Sequence, residues 1–240
     1  MEITMLKYQE IALKIEKKIH FENLEQGSRL PSLGELITQY QVSKSTIVKS
    51  LAVLENRGII FQVQGSGIFV RKRKRKGYIN FMENQGFTHD LEEFNLTSTI
   101  LNLEIIYPNE EIMNNLNCSA NEEVYWAKRI RYINGQTLCV EESYYKKEIV
   151  PYLNKEILND SIFEYLQNAL NINIGYSDKY LKVGKINTEL AAQLQLPDKS
   201  PALFVEELFY LNTGEPFDFS KTIYNYEHSQ FFLQGSNAKN

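Results

Sequence analysis

The chain has 240 residues, 43% of them hydrophobic, and carries 26 Lys+Arg against 30 Asp+Glu for a formal charge of −4. That apolar content supports a packed core and excludes wholesale disorder, while the length suits one large domain or two modest ones. No apolar run approaches the ~20 residues of a membrane span, and the N-terminal stretch lacks a signal-peptide layout.

Cys118 and Cys139 stand in no metal-ligand spacing, so neither a disulfide scaffold nor a zinc module is expected, and a reducing cytoplasm is the default compartment. The acidic balance taken whole argues against a nucleic-acid partner. The distribution reverses that reading. Met1 to Lys76 holds 14 Lys/Arg and 7 Asp/Glu, a net +7, whereas Gly77 to Asn240 holds 12 and 23, a net −11. A basic head on an acidic body implies two domains with different partners. The junction is Arg71-Lys72-Arg73-Lys74-Arg75-Lys76-Gly77, a run of like charges that reads as a solvated linker, a nucleic-acid-gripping arm, or both. The expected division is residues 1–70, a linker 71–80, a second domain 81–235 and a disordered tail 236–240.

In the head, Tyr8, Ile11, Ala12, Ile15 and Ile19 repeat at helical spacing. Pro31 precedes Ser32-Leu33-Gly34-Glu35, a capping box that starts a second helix with Leu33, Leu36, Ile37 and Tyr40 inward. Gln41-Val42 turns the chain, Ser43 caps a third helix, and Gly58 stops it. Two such helices on a short turn are a helix-turn-helix. Ile59–Val63 and Ile68–Val70 then flank Gln64-Gly65-Ser66-Gly67, a hairpin whose glycine tip lets backbone approach a phosphate or a minor groove.

The third helix is the one expected in the major groove. With Ile47, Leu51 and Leu54 inward, Lys44, Ser45, Val48 and Lys49 point out. Lys44 suits guanine or phosphate, and the Ser45 and Thr46 hydroxyls suit phosphate or either base edge. Val48 is either a thymine-methyl contact or an inert surface valine. A bidentate base contact supplies only ~1–3 kcal/mol of discrimination, so a symmetric dimer on a palindromic site is expected.

The body reads as a mixed, largely antiparallel α/β domain. Strand-like Thr97–Tyr107 precedes a helix over Asn109–Leu116, then strands Glu123–Ile133 and Gln136–Tyr145 joined at Asn134-Gly135. A helix over Ser161–Leu170, a strand over Ile172–Lys185, a helix over Thr188–Leu194 and a hairpin of Ala202–Leu211 with Phe217–Tyr226 complete it. Arg129 and Arg131 leave one strand face together, either as a clamp for phosphate or carboxylate or as a solvated face with counter-ions. A strict two-residue turn sets Glu142 beside them, and a three-residue turn with a bulge at Gly135 sets Glu141 there instead.

Leu30-Pro31-Ser32, Val42-Ser43-Lys44-Ser45-Thr46 and Gln64-Gly65-Ser66-Gly67-Ile68-Phe69-Val70 resemble the DNA-binding head of the GntR family of bacterial repressors. The resemblance implies a winged helix-turn-helix in which Ser32, Ser43, Lys44, Ser45, Thr46, Val48, Lys49, Gly65, Ser66 and Gly67 meet DNA. The family usually has arginine where this chain has Gly34 and Val48, which implies a different operator. The body resembles the UTRA effector-binding domain of HutC-type members, through Arg129-Ile130-Arg131, Asn134-Gly135, Glu141-Glu142-Ser143-Tyr144, Asp160-Ser161-Ile162-Phe163 and Phe217-Asp218-Phe219-Ser220. It implies an α+β, chorismate lyase-like fold.

In members that bind sugar phosphates, a Thr near the domain start, two arginines and a helix-capping Ser hold the phosphate. Those positions fall on Thr88, Arg129, Arg131 and Ser161. Glu141 and Asp218 match the acidic residues that hold sugar hydroxyls. Phe163 stands where such members can have Tyr, and Asn225 where Arg is common. The function implied is a cytoplasmic, homodimeric, one-component repressor of operator DNA controlled by a small anionic effector, a phosphorylated sugar. Neither a cofactor nor a membrane partner is expected. His20, His89 and His228 match no catalytic pattern and no G-x-S-x-G or H-E-x-x-H occurs, so an enzyme is not expected.

Overall fold

The computed structural model describes residues 6–71, 76–81, 91 and 93–233. Thr88, four residues of the basic run (72–75) and the expected tail 236–240 lie outside the described residues. The chain divides between Arg75 and Lys76 into two compact units.

In the first unit, α1 spans Lys7–Phe21, α2 Leu33–Tyr40 and α3 Lys44–Asn56. The spacing of Ile11, Ala12, Ile15 and Ile19 packs α1 onto Leu36 of α2 and Ile47, Leu51 and Leu54 of α3 in one buried cluster. Ser32 caps α2 with the expected box: its backbone N–H donates to Glu35 Oε2 at 2.7 Å while Glu35 N–H donates back to Ser32 Oγ. Gln41 takes a left-handed φ of 52° and turns the chain into α3, which Ser43 caps. Buried Ser50 donates to the Tyr8 carbonyl at 2.8 Å, and Arg57 grips Glu16 at 2.7 and 3.0 Å, so α3 is pinned to α1 at its middle and just past its C-terminal end. Strands β1 (Ile60–Val63) and β2 (Gly67–Val70) form the hairpin, whose tip uses Gly65 at φ 77° and Gly67 at φ 129°.

The second unit holds β3 (Ile79–Asn80), β4 (Leu96–Ile106), α4 (Glu110–Leu116), β5 (Val124–Ile133), β6 (Gln136–Lys146), α5 (Lys155–Asn159) and α6 (Ile162–Glu164). After α6 come a π-helical turn over Tyr165–Ala169, β7 (Ile174–Lys185), α7 (Thr188–Leu194), β8 (Pro201–Leu211), β9 (Pro216–Asn225) and β10 (Phe231–Phe232). Six strands make one antiparallel sheet in the order β4-β5-β6-β9-β8-β7. The fold is therefore the mixed, mostly antiparallel α+β arrangement expected. Three features were not expected: α5, the π-helical character of the second half of the 161–170 helix, and a short parallel pair of β3 with β10.

Residues paired across neighbouring strands share a face, which assigns every side chain to one side of the sheet. One face carries α4 and α7, packed on Val124 and Phe219 and on Ile130, Val140 and Ile223. The other face is covered at one end by α5, α6 and the π turn, over Tyr125, Tyr145, Phe209 and Phe217. At its other end lie Ile79, Phe81, Leu91 and Phe231, over Cys139, Val205 and Tyr224. Between those two apolar caps runs a polar band.

Candidate functional site

In the first unit most of the residues expected at DNA lie along α3. Ser43, Lys44, Ser45, Val48 and Lys49 are exposed along the outer side of α3, and Thr46 is half-buried. The hydroxyls are organised around the cap: Ser43 Oγ lies 2.9 Å from both Ser45 Oγ and Thr46 Oγ1 and accepts from Thr46 N–H at 3.3 Å. Lys49 leans back, its ammonium 6.0 Å over the Tyr8 ring, so Lys44 is the cation that projects from the helix start. Ser32 is already occupied, its Oγ donating to Glu35 at 2.7 Å. Val48 is 47% exposed with no apolar cover from the core. Sequence reading missed Arg29, whose Nε lies 3.0 Å from where a Cβ on Gly67 would stand, so a guanidinium backs the hairpin tip. The signal was its place one residue before Leu30-Pro31.

In the second unit the polar band begins with Arg129 and Arg131. They do not form a solvated face. Their side chains are 3% and 8% exposed, and Glu141 stands between them. Arg129 donates from Nε and Nη2 to Glu141 Oε1 at 3.2 and 2.7 Å, and Arg131 donates from Nε to Oε2 at 3.1 Å. Arg129 Nη1 also donates to the Leu158 carbonyl, tying the strand to the end of α5, three residues before Ser161.

The register that selects Glu141 arises differently from either expected turn. The hairpin closes on two residues, pairing Ile133 with Gln136, but Arg131 pairs with Cys139 and Tyr132 with Thr137, leaving Leu138 as the extra residue. A bulge at Leu138 rather than Gly135 thus shifts the pairing, and Arg129 faces Glu141. Glu142 falls on the opposite face, where it accepts from Trp126 Nε1 at 2.9 Å and from the Tyr144 hydroxyl at 2.5 Å.

Asp218 lies on the same face through its pairing with Tyr145, is 1% exposed, and accepts from Ser220 Oγ at 2.7 Å. Ser220 in turn lies 2.9 Å from Ser143 Oγ. Beyond it stand Glu207 and Lys179, paired at 2.9 Å, with Ser177 donating to Glu207 at 2.7 Å and Lys179 reaching the Phe81 carbonyl at 2.9 Å. Sequence reading missed Ser143, Lys179, Glu207 and Ser220. Their strands are distant in sequence, and only the alternation of each strand hints at a shared face.

The electrostatics separate the carboxyls. Burial alone would raise Glu141, but Arg129 and Arg131 outweigh it and hold the carboxyl at about 2. Burial pushes Asp218 well above the usual carboxylate range, and the Glu141 and Glu207 charges add to that against the Ser220 hydrogen bond. Burial raises Glu207 as well, opposed by Lys179. The protonated form of Asp218 is therefore more favoured than that of an exposed carboxyl, and that form can donate as well as accept. Two guanidiniums thus converge on the two oxygens of one carboxylate.

Ser161 and Phe163 arrive from above this face. Ser161 Oγ caps the α6 turn by accepting from Glu164 N–H at 3.3 Å. It lines a hollow of about 410 Å³ with Asp160, Glu164, Tyr165 and Asn168 that includes neither arginine. The Phe163 ring centre lies 5.0 Å from that of Phe209, the residue paired with Asp218. Asn225, where many resembling chains have Arg, is on the other face. It is buried and donates to the Leu194 carbonyl at 3.1 Å, so it fastens α7 and stands apart from the band.

Two family models match this chain. The model of bacterial regulatory proteins of the gntR family covers residues 7–70, and that of the UTRA domain covers residues 92–230. The chain belongs to the GntR family of bacterial regulators. It is a HutC-type member, a transcriptional regulator with an N-terminal DNA-binding domain and a C-terminal effector-binding domain. A Bacillus subtilis (strain 168) HTH-type transcriptional regulator, YydK, is 55% identical over 97% of this chain and 98% of its own. The crystal structure of YydK covers 97% of this chain and 100% of that one, with a TM-score of 0.83 at 53% identity. The B. subtilis transcriptional repressor NagR is 25% identical over 93% of this chain and 92% of its own. The effector-binding domain of the B. subtilis trehalose repressor TreR, 22% identical, covers 60% of this chain and 99% of that one; with a TM-score of 0.55 it shares the fold of this regulator's body. The curated relatives named are all transcriptional regulators, in keeping with a regulator rather than an enzyme. Among the described residues no helix is long and apolar enough to cross a membrane.

Proposed function

We propose that this regulator is a cytoplasmic one-component repressor that binds a palindromic operator as a homodimer, and that a small anionic effector, a phosphorylated sugar, controls its DNA binding. The observation that carries the effector class is the buried Arg129–Glu141–Arg131 cluster, two cations converging on one carboxylate, with Asp218 on the same face of the sheet. Two convergent guanidiniums present forked donors that match the oxygens of a phosphate. In this reading Arg129 and Arg131 clamp the phosphate, Thr88 and Ser161 add hydroxyls, Glu141 and Asp218 take sugar hydroxyls, and the Phe163 ring packs against the bound sugar. The carbohydrate class is supported by relatives named for trehalose and for mannosyl-D-glycerate transport and metabolism, 26% and 25% identical to this chain.

The head supports the operator reading through the exposed Ser43–Lys49 surface and the Gly65-Ser66-Gly67 tip. One such surface gives too little discrimination alone, which is the argument for two copies on a palindrome. The effector acts by binding one arrangement of the dimer more tightly than the other.

The test is thermal unfolding and operator gel shift with a panel of hexose phosphates, free hexoses and inorganic phosphate. A sugar phosphate should raise the unfolding temperature of the body and change operator affinity, because a ligand bound only by the native state stabilises it. The triple variant Arg129→Met, Arg131→Met, Glu141→Met removes the charges together, which avoids stranding one of them, and should keep DNA binding while losing the response. A response that survives the triple variant sinks the site.

A further inference from the structure

Both edge strands of the body sheet carry a bulge, but they are covered differently. At one edge, β4 carries a bulge at Leu101, where the pairing jumps from Ile100 to Asn102, and α5 packs against the strand. At the other, β7 keeps an unbroken register from Tyr176 to Lys185. Its exposed side chains include Tyr176, Tyr180, Leu181 and Val183, with Tyr180 67% and Val183 73% exposed. Among the described residues, no strand pairs with its outer side. Soluble proteins blunt a long, flat, apolar edge with bulges or charges, or they pair it. On β7 the bulge is confined to Gly175 at the strand's start, and the charges Asp178, Lys179, Lys182 and Lys185 lie along the regular stretch, so a strand laid against it must match them.

We infer that β7 is the seam of the homodimer, pairing antiparallel with β7 of a second copy about a two-fold axis at Tyr180. The charge pattern selects that axis. Counting outward from Tyr180, Asp178 of each strand meets Lys182 of the other, so two opposite-charge pairs flank a Tyr180–Tyr180 contact on the same face. An axis at Asp178, Lys179 or Lys182 would set identical charges against each other. An axis at Leu181 would leave Asp178 opposite Gly184 and Lys179 opposite Val183, with no opposite charges joined.

Shape gives a second match. A groove of about 670 Å³ lies beside the strand, lined by Tyr180, Lys182, Gly184, Phe204 and Glu206. It opens where Gly184 has no side chain; a Cβ there would stand 3.3 Å from the Phe204 ring. With the axis at Tyr180, the residue opposite Gly184 is Tyr176 of the second copy, whose aromatic ring covers that gap. The result is a continuous sheet of twelve strands, six from each copy.

This inference rests on the homodimer of the proposed function, and its test separates the two. Sedimentation velocity on the full chain at micromolar concentration reads the dimer. Asp178→Lys and Lys182→Asp each oppose like charges twice across the axis and should weaken the dimer by about ten- to a hundredfold. The double variant Asp178→Lys, Lys182→Asp should restore it. In a Cys118→Ser background, Tyr180→Cys should form a disulfide between copies on mild oxidation, since residues facing on the axis lie within disulfide reach. Tyr226→Cys, 48% exposed and outside β7, should not. A dimer indifferent to both reversals, single variants not restored by the double, or a Tyr180→Cys chain that fails to cross-link overturns the seam while leaving a dimeric repressor standing. A monomeric wild-type chain overturns the dimer itself.

Discussion

The head and the body hold their cations in opposite ways. At the start of α3, Lys44 stands exposed beside a ring of hydroxyls, whereas Arg129 and Arg131 lie buried with a carboxylate locked between them. Exposed cations answer a polyanion: they bind phosphate by releasing counter-ions, and their grip fades as salt rises. Buried cations are shielded from bulk salt, and in the proposed function they answer only an anion small enough to enter. The opposite net charges of the two units therefore say less than where the cations sit.

The comparison can be broken most sharply from the body side. Arg129→Ala removes two hydrogen bonds to Glu141 and one to Leu158, leaving a buried carboxylate with a single cation. The expected loss is about 3–5 kcal/mol of body stability. Trp126, the only tryptophan in the chain, reports on this unit in denaturant titrations; a loss under about 1 kcal/mol would mean that the cluster is not structurally committed.

Next comes pH. Glu141 is depressed from 4.5 to about 2, so its contribution is present above about 4.5 and disappears as pH falls through 2. That is worth about 3 kcal/mol, visible as acid lability of the Trp126 signal. Asp218 has the opposite sign. Its raised pKa gives a contribution that is full at low pH and lost as pH rises, so Asp218→Asn should leave acid stability alone and improve stability on the alkaline side. An unaltered alkaline limb would contradict the upward shift of Asp218.

In the head, Lys44→Ala should weaken operator binding and reduce the slope of log affinity against log salt by about 0.9, one phosphate contact. An unchanged slope with weaker binding would move Lys44 from phosphate to a base edge. The smallest effect is Gly34→Arg. Nothing lies within 4 Å of the position its Cβ would take, so the substitution fits. It should add about 1 kcal/mol of helix stability and tighten DNA binding, measured by calorimetry and gel shift.

The head was legible because its punctuation is local. Ser32 with Glu35, Ser43, Gly58, Gly65 and Gly67 each mark a boundary within a few residues of the element they end or begin. The body strands were legible for a similar reason, at the Asn134-Gly135 turn. What stayed hidden is non-local. The β3–β10 pair joins Ile79 to Phe231. Lys179 and Glu207 meet Ser220 only once three strands lie side by side. The π turn after α6 leaves the apolar spacing of Ile162 and Leu166 unaltered, so no pattern announces it. Sequence resemblance also gave Asn225 a weight that position removes, since its side chain serves the α7 face.

The bulge at Leu138 has a wider consequence. Leu138 is 1% exposed and offers no polar atom, so no search for binding chemistry would nominate it. Yet without its extra step along β6, Arg131 would face Leu138 and Arg129 would face Val140, and the carboxylate at position 141 would turn to the other side of the sheet. If the cluster is the effector site of the proposed function, ligand preference is encoded partly as phase, in the number of residues between a turn and a carboxylate. Two relatives with identical charged residues but one residue more or less in this hairpin would present different sites, and would answer to different small molecules.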